Sequence, residues 1–119
     1  MGENNAMLVP NAPQCKRLLY KGMKGEDVKW LQEILNDLNA FYKFCPTNTP
    51  LKVTGFFGDD TARYLKFFQY RESLIPDSHF DRATCDKLNS RYNDYIDIQY
   101  RSKFHYNNIE DYLNSRFSD

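Results

Sequence analysis

Apolar residues fall on a helical period in three parts of the chain, each preceded by a loop rich in glycine or aspartate. Val28, Leu31, Leu35 and Leu38 recur at three- and four-residue steps, which puts them on one face of a helix. That helix opens after Gly22-Met23-Lys24-Gly25, with Gly25 as its N-cap and Glu26 and Asp27 in the first turn, where carboxylates complement the helix dipole. A second helix follows Gly55-Phe56-Phe57-Gly58. Asp59 or Asp60 is expected to cap it, Thr61, Tyr64, Leu65 and Phe68 form its inward stripe, and it ends near residues 71–73, ahead of Pro76. A short third helix is predicted from Asp81 to Tyr92, with Asp81 as cap and Thr84, Leu88 and Cys85 facing in.

Between the first two helices, residues 39–54 read as a long connection with turn chemistry around Pro46-Thr47-Asn48-Thr49-Pro50, opened by the aromatic group Phe41, Tyr42 and Phe44. Pro10 and Pro13 lead us to read residues 1–14 as a flexible or extended arm. Residues 95–100 alternate like a strand yet fit an extension of the third helix equally well, and Asn107 or Asn108 ahead of Ile109-Glu110-Asp111-Tyr112-Leu113 has the form of a cap and a last helix, with Phe117 on its apolar edge.

Two of these stretches share a theme. Gly22-x-x-Gly25-x-x-Val28-x-x-Leu31-Gln32 is followed by Gly55-x-Phe57-Gly58-x-x-Thr61, running on to Phe68-Gln69. Glycines precede each helix, where positive φ or close backbone approach is needed, and a glutamine follows a buried apolar residue. A degraded third copy lies at Asp77-Ser78-His79-Phe80-Asp81-x-x-Thr84, where Phe80 and Thr84 keep the spacing of Phe57 and Thr61. Loop-then-helix repetition of this kind indicates a pseudo-symmetric three-helix fold.

From about Leu18 to Leu88 these residues closely resemble the peptidoglycan-binding domain family, whose pattern is a Gly-x-x-Gly-x-x-Val-x-x-Leu-Gln helix, a Gly-x-Phe-Gly-x-x-Thr helix ending in Phe-Gln, and a third short helix. The resemblance implies an all-α, three-helix bundle, which we place over residues 15–92; the arm 1–14 precedes it, and residues 93–119, outside the resemblance, are expected to form a C-terminal helical extension packed on the domain or on a partner. It further implies a non-catalytic module that recognises bacterial cell wall. The alternative is a structural subunit of a larger assembly, a virion or multi-protein complex, that reuses the fold without binding sugar. Gly22, Gly25, Gln32, Gly55, Phe57, Gly58, Thr61 and Gln69 carry the motif. Ser78 and Asp81 stand where the family usually has glycine, so the third turn is expected to differ from the second.

Composition narrows the partner. With 16 basic and 16 acidic residues, and no marked basic excess either before or after Leu88, there is no electrostatic footprint for nucleic acid. No stretch approaches the ~18 apolar residues of a membrane span. Residues 1–14 lack the basic start and apolar stretch of a secretory leader, so the expected setting is cytoplasmic as synthesised, with virion association as one later destination. Peptidoglycan, or another protein of an assembly, would be held by shape, stacking and hydrogen bonds.

Aromatics make up 16% of the chain, with nine Tyr and nine Phe. Tyr42, Phe44, Arg63 and Tyr70 lie off the predicted core stripes and are the candidate ligand contacts, with packing against residues 93–119 as the other reading of the aromatic ones. Trp30, next to Leu31, is either a sugar-stacking platform or a packing residue. Gln32 and Gln69 are placed to bond the loop of the partner repeat, with ligand contact as the lesser alternative.

Catalytic chemistry finds little support. The Asp59-Asp60 pair is explained by its helix start, Cys85 is expected on an inward face with no histidine partner, and Gly22–Gly25 lacks a phosphate-loop ending. Cys15, Cys45 and Cys85 are odd in number and widely spaced, and His79 and His105 are adjacent to none of them. Reduced thiols are therefore expected in place of a disulfide or zinc site, and no metal or cofactor is implied.

Overall fold

The computed structural model describes residues 15–47 and 49–104, with side chains as far as Gln99. Within them the chain forms three helices, α1 (Glu26–Tyr42), α2 (Asp59–Arg71) and α3 (Arg82–Phe104), and α1 packs against both of the others. The expected all-α, three-helix architecture is the one observed. The predicted arm 1–14 and the helix proposed after Asn107 lie outside the described residues.

The inward stripes converge on one core. Val28, Leu31, Ile34, Leu35 and Leu38 of α1 meet Tyr64, Leu65 and Phe68 of α2 and Leu88 and Tyr92 of α3, while Leu19, Leu51, Phe57 and Phe80 enter from the loops. Two isolated antiparallel bridges, Leu19 with Phe80 and Lys24 with Phe56, tie the loops to one another. Phe57 and Phe80 each drop a ring into the core directly ahead of a helix, as their matched spacing predicts.

The two glutamines lock successive loops in the same way. The Gln32 amide is 1% exposed; its Nε2 donates to the Phe56 carbonyl at 2.9 Å and to Thr61 Oγ1 at 3.0 Å, and its Oε1 accepts from the Thr54 and Gly55 N–H groups, both at 2.9 Å. The Gln69 amide is 0% exposed and repeats the arrangement one loop later: Nε2 donates to the His79 carbonyl at 2.9 Å and to Thr84 Oγ1 at 3.0 Å, and Oε1 accepts from the Ser78 N–H at 2.9 Å. A helix thus satisfies the polar backbone of the loop that starts the next one, which a partly buried loop requires. In the first copy Val28 stands where Thr61 and Thr84 stand in the later ones. No helix precedes it among the described residues to send in an amide.

The third turn does not differ from the second. Ser78 takes φ 64° where Gly55 takes φ 81°. A left-handed serine is strained, but here its Oγ donates to the Ala62 carbonyl at 2.8 Å and its N–H is held by Gln69. Asp81, in the place of Gly58, supplies the side-chain cap that glycine lacks, its Oδ1 accepting from the Thr84 N–H at 2.9 Å. Each lost glycine is replaced by a residue that adds a bond.

Four further expectations are corrected. Gly58, not Asp59 or Asp60, is the N-cap of α2; both carboxylates sit in its first turn without a side-chain cap bond, and each faces a cation instead, Lys21 at 2.5 Å and Arg63 at 3.0 Å. The first connection begins later than residue 39. Phe41 and Tyr42 remain helical because their rings pack towards α3, Phe41 lying 5.7 Å from Tyr95, and the helix ends only at Lys43, a left-handed C-cap whose N–H bonds the Asn39 carbonyl. The third helix continues well beyond Tyr92, through residues 95–100, because Tyr92, Tyr95 and Ile96 pack on the core and Arg91 grips the buried Glu72 carboxylate at 2.7 and 3.0 Å.

The fourth correction concerns the thiols. Cys15 and Cys85 form a disulfide, with Cα atoms 5.8 Å apart and a separation of 70 positions in sequence; Cys45 is free and buried. The Leu19–Phe80 bridge delivers Cys15 to the first turns of α3, a juxtaposition that sequence spacing does not reveal.

Candidate functional site

The segment that enters the fold at Cys15 runs across the start of α1 and leaves a groove there. Its lower end is fixed by the Leu19–Phe80 bridge, in which the Phe80 N–H donates to the Leu19 carbonyl at 2.8 Å, and its upper end by the disulfide to α3. Between these anchors Arg17 reaches α1: Nε and NH2 bond the two Asp27 carboxylate oxygens at 2.8 and 3.1 Å, and NH2 also bonds the Lys24 carbonyl at 2.7 Å. Two-pronged guanidinium–carboxylate contact fixes orientation as well as distance. The hydrogen bond from Arg17 holds the Asp27 carboxyl below the usual carboxylate range despite some desolvation, and the same bond raises the Arg17 guanidinium. The pair is therefore charged on both sides across the neutral pH range.

Gly25 makes this clamp possible. Its φ is 150°, and a Cβ there would lie 2.6 Å from Asp27 Oδ1 and 2.8 Å from Arg17 NH2. The groove, about 230 Å³, is lined by Cys15, Lys16, Arg17, Leu19, Asp27, Trp30 and Phe80. Trp30 is half-buried beside the fully buried Leu31, and Lys16 is exposed. An aromatic wall, an apolar floor and one cation beside a neutralised ion pair are suited to a ring-bearing ligand with negative charge.

Residues 24–88, more than half of the chain, match the family model of a peptidoglycan binding domain. The chain belongs to the peptidoglycan-binding domain family. No curated protein and no solved structure matches it.

In this peptidoglycan-binding domain the four residues singled out from sequence are dispersed. Phe44 packs edge-on against Phe68 at 5.7 Å and Tyr64 at 6.3 Å. Tyr42 lies under two guanidinium groups, Arg71 at 5.3 Å and Arg91 at 5.7 Å, and its carbonyl accepts from Arg71 at 2.8 Å. Arg63 pairs with Asp60 one turn away, and Tyr70 is 74% exposed. None of the four lines the groove. Of the groove residues, Trp30 was visible as a candidate, whereas Lys16 and Arg17 precede the motif and carry no local signal.

A second depression, about 310 Å³, lies across α1 and α3 and is lined by Glu33, Ile34, Asn36, Asp37, Val53 and Tyr92. Its charge has the opposite sign: desolvation, then Glu33, raises the Asp37 carboxyl. Asn36 is committed to the fold, bonding both the N–H and the carbonyl of Leu51 at 2.7 and 2.9 Å. An acidic cleft repels an anionic ligand. Among the described residues there is no cluster of three or more His, Cys, Asp or Glu placed to hold a metal ion, and no helix is long and apolar enough to cross a membrane.

Proposed function

We propose that the domain binds peptidoglycan as a recognition module without chemistry of its own. The observation that carries this reading is the family match over residues 24–88, with both glutamine locks of the motif in place. The chemistry of the groove agrees with it. Trp30 offers apolar surface above the buried Leu19 and Phe80, and the charged groups are a satisfied pair and a single lysine, a combination suited to holding a polymer and lacking a nucleophile with its base.

The Cys15–Cys85 bond supports a working place outside a reducing cytosol, since disulfides persist where thiols are not continually reduced. Alkylation of the purified protein under denaturing, non-reducing conditions should then label one thiol, Cys45.

Co-sedimentation with purified insoluble peptidoglycan tests the function. The protein should enter the pellet at moderate salt and the supernatant should gain no soluble wall fragments. A protein that stays in the supernatant refutes binding, and release of fragments refutes the non-catalytic assignment.

A further inference from the structure

We infer that the groove between the Cys15–Leu19 segment and α1 is the ligand site, and that it takes the junction of glycan and stem peptide, with a pyranose ring on Trp30 and a peptide carboxylate on Lys16. This inference rests on the peptidoglycan-binding reading and names its site. Three observations direct it. Trp30 is the only tryptophan of the chain, and it stands half-buried on a charged helix instead of entering the core. The C–H bonds on a sugar face carry partial positive charge and suit the negative face of an indole. The groove volume, about 230 Å³, is below the roughly 300–1,000 Å³ typical of a site enclosing a drug-sized ligand, so it has room for about one ring, with the rest of a longer ligand lying outside it.

Charge then separates the halves of the ligand. Arg17 is occupied by Asp27 and the Lys24 carbonyl, which leaves Lys16 as the cation at the rim. An uncharged glycan would make no use of it. Stem peptides carry carboxylates next to the sugar that bears them, and a wall fragment can meet both groups at once. The groove is also held ready: the disulfide, the Arg17 clamp and the Leu19–Phe80 bridge fix its outer wall at three places, so little ordering is required on binding.

The lone tryptophan makes the site its own reporter. Titration with a soluble disaccharide-tetrapeptide should change Trp30 emission saturably. Chitotetraose, which lacks the carboxylates, and the free tetrapeptide, which lacks the ring, should each bind at least about tenfold more weakly by calorimetry. Trp30→Ala should lower affinity for the disaccharide-tetrapeptide by about tenfold or more, as truncating a central tryptophan commonly does. Lys16→Ala, at an exposed position that the fold does not use, should weaken binding severalfold and flatten its salt dependence. Trp30→Phe, with an unchanged melting curve and intermediate affinity, guards against a folding defect in the alanine variant. If the wild-type protein pellets with insoluble peptidoglycan while Trp30 emission stays constant at saturation, or if Trp30→Ala pellets equally well, the groove assignment is wrong and the function stands. If the wild-type protein does not pellet, the function itself falls.

Discussion

Replacing Gln32 by methionine keeps an unbranched side chain of similar length and removes the amide. In the native fold that amide makes four good hydrogen bonds: the Phe56 carbonyl and Thr61 hydroxyl accept from Nε2, and the Thr54 and Gly55 N–H groups donate to Oε1. A typical intramolecular hydrogen bond contributes about 1 kcal/mol net, and a buried group left without a partner costs about 1–3 kcal/mol. Thr54 and Phe56 are exposed residues, so water can reach part of the loop backbone, whereas Thr61 is 2% exposed and loses its partner outright. The expected loss is therefore about 2–4 kcal/mol, a large share of the roughly 5–15 kcal/mol that holds a typical domain together. Urea unfolding of Gln32→Met should show a lowered midpoint with an unchanged slope, since the buried surface is nearly the same. Gln69→Met should match it, because that amide makes the equivalent bonds to the His79 carbonyl, Thr84 and Ser78. Thr61→Val, which removes one bond and places at this position the residue that Val28 supplies in the first copy, should cost only about 1 kcal/mol. A loss below about 1 kcal/mol in both glutamine variants would refute the argument, since it would mean that water satisfies the loops and that the motif glutamines do not set the fold.

Three other outcomes follow from particular contacts. Cys85→Ser should lower stability by about 4 kcal/mol on the loop-closure model, given the separation of 70 positions, and urea unfolding with and without reductant should show the same difference in the parent protein and none in the variant. Gly25→Ala should destabilise the domain and loosen the Arg17–Asp27 clamp, because the new Cβ would overlap both side chains at a backbone angle that alanine disfavours; this can be read from the Arg17 side-chain NMR signals and the melting temperature. The Asp27 carboxyl is lowered in the folded state by Arg17, so its contribution is fully present above the ordinary carboxylate pKa and disappears as pH falls through the lower folded value. Asp27→Asn should therefore reduce stability at neutral pH and converge with the parent protein in strong acid, as measured by unfolding across that range.

How far each part could be read from sequence depends on how local its cause is. The α1 and α2 helices announce themselves because each buries a continuous stripe, Val28 to Leu38 and Thr61 to Phe68, behind a glycine loop. The length of α3 was hidden: past Tyr92 its residues alternate between apolar and polar, and what holds them helical is the far side of the contact, the packing of Tyr95 against Phe41 and of Arg91 against Glu72. The same holds for the groove. Trp30 stands out as the lone indole, yet the wall facing it depends on Arg17 reaching Asp27 across a loop and on Cys15 meeting Cys85, pairings that only the folded chain creates. Ser78 shows the converse, a departure from pattern that suggested a different turn and in fact occupies the same one, with its hydroxyl adding a bond to the Ala62 carbonyl.

The Cys15–Cys85 bond also has a mechanical consequence. It closes α1, α2 and every loop between them into a covalent ring, while the later part of α3 lies outside it. A pull applied to the chain ahead of Cys15 and behind Cys85 is carried through the sulfur bridge, and the ring bears none of it. α3 can unwind from its far end, but the span of 70 positions stays out of the load path; at about 3.4 Å per extended residue it amounts to roughly 240 Å of stored length. A module holding a wall under strain would thus keep Trp30 and its groove unstretched at forces that draw out its tail, and would yield that reserve only when a reductant cuts the bridge.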